Sequence, residues 1–357
     1  MDYATKEQIE TPALVIELDA LERNIKAMAD YMKGKNAVLR PHYKTFKCPT
    51  IAHLQIAAGA TGICCAKLGE AETLVEAGIR DVLIANQIVD PVKVNRLAGL
   101  ARGGCRISVA ADNEENIKDL SQAAVKHGST INVLVEVDVG MGRCGINTPD
   151  EALRLARLIE GSKGLAFGGI QAYEGHIIHN RDIEVRRRGV REMVEKVGGI
   201  KKHLEKNGIP VKDISGGGTG TYNITGDNTI WTEIQAGSYV FMDTVYNEVG
   251  LKFENALFVL STVIHKRPGV AVTDAGQKVC TLDQGLPRVR GREHLTVKLH
   301  EEHGLIADER DELEYLQKIE YVPSHCCTTV NLHDRYYCVR GGLLEGTWPV
   351  TGRGKSR

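Results

Sequence analysis

Hydrophobic and polar positions between Asp19 and Met242 alternate regularly, with short β-branched runs separated by amphipathic stretches of helical period. The amphipathic stretches begin with acidic or capping residues and often end in glycine, as helices do. The β-branched runs are VLRPHYK, GICCA, VLIANQ, RISVAAD, NVLVEVDVG, FGGIQAYEG, KDISGGG and EIQAGS. About eight such β–α units favour an α/β fold built on a (β/α)8 TIM-like barrel. A doubly wound open sheet would produce the same alternation.

The pattern changes after Met242, where strand-like runs are joined by glycine, proline and charged turns with little room for helices. These runs are FVLSTVIHK, VAVTDAG, LTVKLHEEHG, KIEYVP and YYCVRGGLLEGTWPV. We therefore predict a barrel over residues 19–248 and a second, smaller, mainly-β C-terminal domain over residues 249–357. The early strand ALVIEL precedes the first helix, and we assign the N-terminal segment 1–18 to the smaller domain.

Composition and charge narrow the class of partner. The 45 basic and 46 acidic residues leave a formal net charge of -1, so no global field attracts nucleic acid or an acidic membrane surface. The N-terminus is charged, and no window approaches the roughly 18 apolar residues of a membrane span. The odd count of nine cysteines argues against a disulfide framework. We expect a cytoplasmic protein with reduced thiols and a small-molecule partner.

Lys44 ends the first predicted barrel strand, within residues 40–45. Barrel enzymes build their sites from the carboxyl ends of strands, so this lysine is a candidate catalytic amine. The cations Arg40, His42 and Lys47 would lower the pKa of the amine by like-charge repulsion, and the neutral amine is the nucleophile in Schiff-base chemistry. The alternative is a solvated surface lysine.

Two glycine-rich segments follow consecutive late strands, at residues 215–221 and 236–239. Glycine lets backbone N–H groups approach a phosphate, and neighbouring serine and threonine hydroxyls donate further hydrogen bonds. The late loops of a barrel are its usual phosphate site, and two such loops favour this interpretation over simple turns. The pattern GxxxxGK[ST] does not occur, which argues against a P-loop.

Three further polar side chains follow buried strands. Arg143 lies in EVDVGMGRCGI, and Tyr173 and His176 lie in GIQAYEGH. Arg143 is either one half of a surface ion pair or a permanent cation that faces a ring nitrogen and keeps it unprotonated.

His325 and Cys327 form an HxC pair in the β domain. In an extended segment the two side chains point to the same side, so an imidazole and a thiolate could share one divalent ion. A soft sulfur ligand favours zinc over magnesium or calcium. The alternative is a packed cysteine beside a surface histidine.

Together these segments resemble the D-threonine aldolase and D-serine dehydratase family of fold-type III pyridoxal-phosphate enzymes, relatives of alanine racemase. The likeness covers nearly the whole chain and is closest to the 3-hydroxy-D-aspartate and D-threonine aldolase branch. Its segments are TPALVIELDALERNI, RPHYKT, GICCAKLGEAE, EVDVGMGRCGI, GIQAYEGH, SGGGTGTY, QAGSYVFMD, DAGQKVCTLDQGLP, SHCCTTVNLHD and WPVTGRGK.

The resemblance implies a barrel with a β domain, usually a homodimer, in which Lys44 carries pyridoxal 5'-phosphate as a Schiff base. Arg143 would face the pyridine nitrogen, and Tyr173 would line the cofactor. His325 and Cys327 would bind a divalent metal, zinc or else manganese or magnesium. The residues implied at the phosphate are Gly217, Gly218, Thr219, Gly237, Ser238 and Tyr239.

The implied reaction is the retro-aldol cleavage of a β-hydroxy-D-amino acid to glycine and an aldehyde. Candidate general bases are a hydroxide on the metal, His176 and His303. The aldolase branch has HxD at the metal pair, whereas HxC is associated with dehydratases. A D-serine or 3-hydroxyaspartate dehydratase that yields a keto acid and ammonia is therefore the main alternative. A protein of pyridoxal-phosphate homeostasis and an amino-acid racemase are further alternatives.

Overall fold

The computed structural model of the protein describes residues 4–357, which form two compact units. The first, the β unit, contains the described residues up to Met28, Thr45–Thr50 and Ser238–Gly354. The second, the parallel-sheet unit, contains Ala29–Lys44, Ile51–Gly237 and Lys355–Arg357. The bounds predicted from the sequence, 19–248 and 249–357, stay a prediction.

Eight parallel strands form the sheet of the parallel-sheet unit. They are β2 (Val38–Leu39), β3 (Ile63–Cys65), β4 (Asp81–Gln87), β5 (Arg106–Ala111), β6 (Ile131–Glu136), β7 (Leu165–Ala172), β8 (Ile214–Gly216) and β9 (Glu233–Ile234). Their order is β2-β9-β8-β7-β6-β5-β4-β3. Beyond β2, the Tyr43 N–H donates to the Cys64 carbonyl at 2.7 Å, and the Cys64 N–H donates to the Pro41 carbonyl at 2.9 Å. The sheet thus closes on itself, which confirms the predicted barrel and excludes the open sheet.

Helices precede and connect the barrel strands, in the β–α alternation that the sequence pattern predicted. They are α1 (Leu18–Met32), α2 (Pro49–Ala57), α3 (Leu68–Glu76), α4 (Pro91–Ala101), α5 (Glu114–His127), α6 (Pro149–Gly161), α7 (Ile183–Lys206) and α8 (Tyr222–Thr225). Helix α5 shows how the chain sets their ends, because Asn113 accepts the N–H of Asn116 at its start and Gly128 ends it with a φ of 62°. Within residues 4–357, no helix has the length and apolar character of a membrane span.

Antiparallel pairing dominates the β unit. Its strands are β1 (Ala13–Glu17), β10 (Leu257–Arg267), β11 (Gly269–Thr273), β12 (Arg288–Val289), β13 (Val297–Leu299), β14 (Gly304–Asp308), β15 (Lys318–Val322), β16 (Arg335–Arg340) and β17 (Leu343–Pro349). Strand β1 pairs antiparallel with β10 and parallel with β16, and Leu14, Val15 and Ile16 are fully buried there.

The β unit also contains two short helices, α9 (Thr244–Val249) and α10 (Cys326–Val330). The strand-rich pattern after Met242 left little room for helices, and it missed both. Each is shorter than two turns, so neither has enough residues to show an amphipathic period.

Arg40 is buried inside the parallel-sheet unit directly after β2, with a 2% exposed side chain. Its Nη2 lies 2.6 Å from Glu233 Oε1, and its Nη1 lies 2.7 Å from Asp81 Oδ1. Burial opposes the charge, but the two carboxylates outweigh burial and raise the pKa of Arg40. Because two anions balance this cation, Arg40 contributes less repulsion at Lys44 than the sequence predicted.

Removing one anion tests how far the barrel depends on this buried ion pair. We expect Glu233→Ala to lower the free energy of unfolding by about 3–5 kcal/mol, because Arg40 keeps a buried charge without its main partner. Glu184→Ala is the control, since Glu184 forms an exposed pair with Arg187 on α7 and should cost less than about 1 kcal/mol. Urea denaturation measures both changes, and equal losses would contradict the prediction.

Candidate active site

A cavity of about 350 Å³ lies among the carboxyl ends of the barrel strands in the parallel-sheet unit. This volume is within the usual range for small-molecule sites. The cavity is lined by His42, Lys44, Ala66, Lys67, Ala85, Asn86, Arg143, Cys144, Gln171, Tyr173 and Gln235. Three side chains predicted from the sequence, Lys44, Arg143 and Tyr173, therefore meet at one cavity although they follow three different strands.

The Lys44 ammonium lies over the face of the Tyr173 ring in this cavity. The ammonium nitrogen of Lys44 lies 5.6 Å from the centroid of the Tyr173 ring, within cation–π range. An amine beside an aromatic face suits a planar aromatic aldehyde, because the amine can form an imine while the ring packs against the ligand. The amine end of the cavity therefore fits pyridoxal phosphate.

Arg143 places a guanidinium on the same cavity wall. Its Nη2 lies 3.8 Å from Glu136 Oε1, and its side chain is 53% exposed, so the ion pair is long and partly solvated. The Gln87 side-chain amide donates to Glu136 Oε2 at 2.6 Å. Burial raises the pKa of Glu136, although Gln87 and Arg143 oppose that rise. The structure thus supports both sequence alternatives in part: Arg143 is half of a loose ion pair and also a cation at the cavity. Its contact with a ring nitrogen stays a prediction.

The first glycine-rich loop owes several glycines to backbone crowding. A Cβ on Gly216 would lie 1.8 Å from the Ala172 carbonyl oxygen, and one on Gly220 would lie 1.7 Å from that of Ile178. Gly217 has a φ of 77°, in the left-handed region that glycine favours. The sequence showed a run of glycines here, but it did not show which backbone atoms leave no room for a side chain.

The N–H groups of this loop already have acceptors within the protein. The Gly217 N–H donates to Glu174 Oε2, and the Gly218 N–H donates to Thr221 Oγ1, both at 3.1 Å. Thr219 is buried. The phosphate role of Gly217, Gly218 and Thr219 stays a prediction, and two of its presumed donors are engaged with side chains.

Glu174 organises this loop, and the sequence analysis missed it. Its fully buried carboxylate accepts hydrogen bonds from the Thr221 hydroxyl at 2.6 Å, the Thr225 hydroxyl at 2.8 Å and the Gly217 N–H. Burial raises the pKa of Glu174 despite these hydrogen bonds. The only sequence signal was its position directly after Tyr173, at the end of a barrel strand.

The second glycine-rich segment contains Gly237, Ser238 and Tyr239, all buried. Ser238 Oγ lies 3.8 Å from Cys327 Sγ, and the Tyr239 ring packs 5.4 Å from that of Phe253. The hydroxyl of Ser238 is therefore directed toward a thiol in the β unit. The phosphate role of these three residues stays a prediction.

His325 and Cys327 lie at the start of helix α10. The sequence-based prediction that both residues lie in an extended segment is therefore wrong. His325 has extended backbone angles, but Cys327 is already in the first turn of the helix. The two side chains still interact, because burial lowers the pKa of His325 while Cys327 and Asp283 outweigh it and raise the pKa to about 9. The two side chains therefore meet at the N-terminus of a helix, and not because alternate residues of a strand point to the same side.

Asp283 fixes the orientation of His325 and was missed by the sequence analysis. The His325 Nδ1–H donates to Asp283 Oδ2 at 2.6 Å, and the Thr328 hydroxyl donates to Asp283 Oδ1 at 2.8 Å. Burial opposes ionisation of Asp283, but these hydrogen bonds outweigh burial and lower its pKa. A carboxylate on Nδ1 leaves Nε2 for a metal, the usual arrangement around histidine ligands.

The thiol of Cys327 lies 3.3 Å from the Thr45 hydroxyl. Imidazole nitrogen and thiolate sulfur suit zinc, so the donor set fits a divalent ion of that kind. Among residues 4–357, no cluster of three or more histidine, cysteine or acidic side chains is arranged to hold a metal. A metal on His325 and Cys327 would therefore have open positions for water or substrate.

The two candidate bases lie in loops. His176 is exposed after β7, and its ring packs so closely on Gly140 that a Cβ there would lie 2.8 Å from Nε2. His303 is exposed in the turn before β14, where its carbonyl accepts the N–H of His300 at 2.8 Å. A role as general base stays a prediction for both.

Two protein families match the chain. The family "Alanine racemase, N-terminal domain" matches residues 16–245. The family "Putative serine dehydratase domain" matches residues 256–339.

Aldolases are among the most similar known proteins. The chain is 41% identical over 360 residues to a 3-hydroxy-D-aspartate aldolase of Paracoccus denitrificans (strain Pd 1222), covering 98% of this chain and 93% of the relative. It is 41% identical over 358 residues to a D-threonine aldolase of Arthrobacter sp., covering 98% and 94%. The crystal structure of a D-threonine aldolase from Filomicrobium marinum superposes with a TM-score of 0.96, at 40% identity over 99% of both chains.

A dehydratase is also similar to this chain, at lower sequence identity than the two aldolases. The D-threo-3-hydroxyaspartate dehydratase of Delftia sp. (strain HT23) is 29% identical over 372 residues, covering 95% of this chain and 97% of the relative. Solved structures of D-threo-3-hydroxyaspartate dehydratase, 27% identical to this chain, include a histidine-to-alanine variant and, two residues further along, a cysteine-to-alanine variant in a metal-free form.

The buried carboxylate of Glu174 yields a stability prediction. We expect Glu174→Ala to lower the free energy of unfolding by about 3 kcal/mol or more, because three buried donors lose their acceptor. Glu174→Gln is the matched control: it keeps one carbonyl oxygen and should lose less. Denaturant unfolding measures the energies, and hydrogen exchange should show faster exchange of the Gly217 amide in the alanine variant. An unchanged Gly217 exchange rate would contradict this assignment.

Proposed function

The chain belongs to the family of the alanine racemase N-terminal domain, and from this premise we propose that it is a pyridoxal-phosphate- and metal-dependent lyase. Its proposed substrates are β-hydroxy-D-amino acids, cleaved to glycine and an aldehyde. The observation that carries the proposal is the meeting of Lys44, Tyr173 and Arg143 at one cavity on the carboxyl-end face of a closed barrel. The 41% identity to two aldolases over nearly the whole chain supports the reaction type.

Each of the three side chains has a distinct task. When bound, pyridoxal phosphate supplies an electron sink for the carbanion left by bond cleavage. Lys44 holds the cofactor through its amine, and the Tyr173 ring packs beside that amine. The guanidinium of Arg143 carries only N–H donors, so it would offer the ring nitrogen a hydrogen-bond donor. The phosphate would lie against the two glycine-rich loops, with Thr219 and Ser238 as candidate hydroxyl donors.

His325 and Cys327 would hold a divalent ion, whose chemistry is to lower the pKa of a substrate hydroxyl. Asp283 keeps the His325 ring oriented with Nε2 available. Thr45 follows Lys44 directly in the chain, and its hydroxyl lies beside the Cys327 thiol. His176 and His303 remain candidate bases for the hydroxyl proton.

Dehydration is the second candidate function, and Cys327 is the observation that favours it. The related dehydratase is known in a metal-free form when a cysteine is replaced by alanine. In that reaction Lys44 would remove the α-proton and the β-hydroxyl would leave, giving an enamine that water hydrolyses to a keto acid and ammonia. Both routes use the same residues, and they differ in which bond is aligned with the π system.

We also propose that the protein is a homodimer, an arrangement that the family likeness supports. Sedimentation velocity measures it directly. A single species at the chain mass of 39.1 kDa would contradict this part of the proposal.

The covalent role of Lys44 is tested by removing its amine. We expect Lys44→Ala to lose the visible absorbance of lysine-bound cofactor and to lose nearly all turnover, because no other group forms the imine. Lys67→Ala is the matched control, since Lys67 lines the same cavity; it should keep the absorbance. Absorption spectroscopy after borohydride reduction, with mass analysis of the labelled peptide, locates the bond. Full turnover by Lys44→Ala would refute the proposed function.

Product analysis of the same purified protein separates the two reactions. With D-threonine or 3-hydroxy-D-aspartate as substrate, we expect glycine to accumulate and ammonia to stay at background. Ammonia without glycine would replace the aldolase by the dehydratase.

Replacing neighbouring cysteines tests the metal pair. We expect Cys327→Ala to lose bound zinc, and Cys326→Ala to retain it, because Cys326 is buried and its pKa is raised well above the usual value by burial. Asp283→Asn should weaken metal affinity by about 10- to 100-fold through the orientation of His325. Elemental analysis and competition with a chelator measure these changes. Equal zinc content in both cysteine variants would rule out Cys327 as a ligand.

A further inference from the structure

His42 lies inside the proposed site without an assigned task. It lines the cavity together with Lys44 and Arg143, and only 9% of it is exposed. Its backbone is fixed by the bridge to Cys64 that closes the barrel. His42 is therefore a rigidly placed imidazole that faces the same space as the reactive amine.

The hydrogen bonding of His42 determines where its proton lies. The Lys44 backbone N–H donates to His42 Nδ1 at 3.4 Å, so this nitrogen is the acceptor. Burial, followed by the charges of Lys44 and Arg143, lowers the pKa of His42 well below its usual value, and the ring is neutral. A neutral ring with an accepting Nδ1 carries its single proton on Nε2.

This Nε2–H is not one of the fully buried polar atoms that lack a partner, so it is accessible from the cavity that His42 lines. Across residues 4–357, the Lys44 N–H is the one hydrogen-bond partner found for the His42 ring. A few polar groups on the wall of a small-molecule cavity usually fix the orientation of the ligand through hydrogen bonds. The acceptor for this donor is therefore expected from a ligand in the cavity.

We infer that His42 Nε2–H donates a hydrogen bond to the phenolic oxygen of bound pyridoxal phosphate, an inference that rests on the proposed function. In this cofactor the phenolic oxygen is on the ring carbon next to the one that bears the aldehyde. Once Lys44 bonds to the aldehyde carbon, that oxygen is the cofactor acceptor nearest to the lysine. A neutral donor stabilises the phenolate without adding a third positive charge beside Lys44 and Arg143.

Two amide substitutions at position 42 distinguish the roles of the two ring nitrogens of His42. In His42→Asn the side-chain amide takes the place of Nδ1, whereas in His42→Gln it extends to the place of Nε2. We expect His42→Asn to raise the dissociation constant of pyridoxal phosphate by about tenfold or more, since a hydrogen bond to a charged acceptor is lost. The visible absorption band of the bound cofactor should also lose intensity to the near-ultraviolet form. His42→Gln should stay within about threefold of wild type, with the visible band retained.

The dissociation constants come from fluorescence titration of the apoprotein with pyridoxal phosphate, and thermal melting of each apoprotein checks its fold. His127→Asn is the control, because His127 is a partly buried histidine of the same unit with one side-chain partner, Asn95; its cofactor affinity and spectrum should not change.

Each result has a single interpretation. Wild-type affinity and spectrum in His42→Asn would overturn the inference while leaving the role of Lys44 intact. A raised KM without any change in cofactor affinity or spectrum would also overturn it, because His42 would then contact the substrate. If the wild-type protein binds no pyridoxal phosphate, the proposed function itself fails and this inference fails with it.

Discussion

Closure of the parallel sheet is the constraint on which the candidate site depends. Hydrogen bonds between residues 41–43 and Cys64 join the chain beyond the first barrel strand to the second. Because all eight strands run in the same direction, their carboxyl ends lie on one face, and loops that are distant in sequence meet there. Lys44, Arg143 and Tyr173 reach one cavity for this reason. His42, the bridging residue itself, becomes part of the cavity wall.

Two buried charged groups of the parallel-sheet unit, Arg40 and Glu174, are stabilised in different ways. Arg40 is matched by Glu233 and Asp81, so its charge is neutralised by near neighbours. Within residues 4–357, the donors to the Glu174 carboxylate include two hydroxyls and the Gly217 N–H, and no cation is found among them. Burial lowers the pKa of His42 first, and the charges of Lys44 and Arg143 at the same cavity lower it further.

His325 and Cys327, the proposed metal pair, bear on which reaction the site would favour. Asp283 orients His325, while Cys327 supplies a soft donor beside Thr45. The overall similarity to aldolases and the HxC pair favour different reactions. Both are physically consistent, because ligand softness selects the ion, whereas the orientation of the substrate's bonds against the π system selects which bond breaks.

The sequence by itself determined the barrel, the strand-rich C-terminal part and three of the residues that meet at the cavity. Period-two and period-3.6 patterns report burial along single elements, and strand ends in a barrel converge by geometry, so Lys44, Arg143 and Tyr173 could be found from pattern and family likeness. Only the tertiary structure decided the partners of buried polar groups. Glu174, Asp283 and the tautomer of His42 depend on atoms brought together by folding, and no local period encodes such pairings. The short helix that carries Cys327 escaped for a related reason, since one turn and a half of chain is too short to display a period.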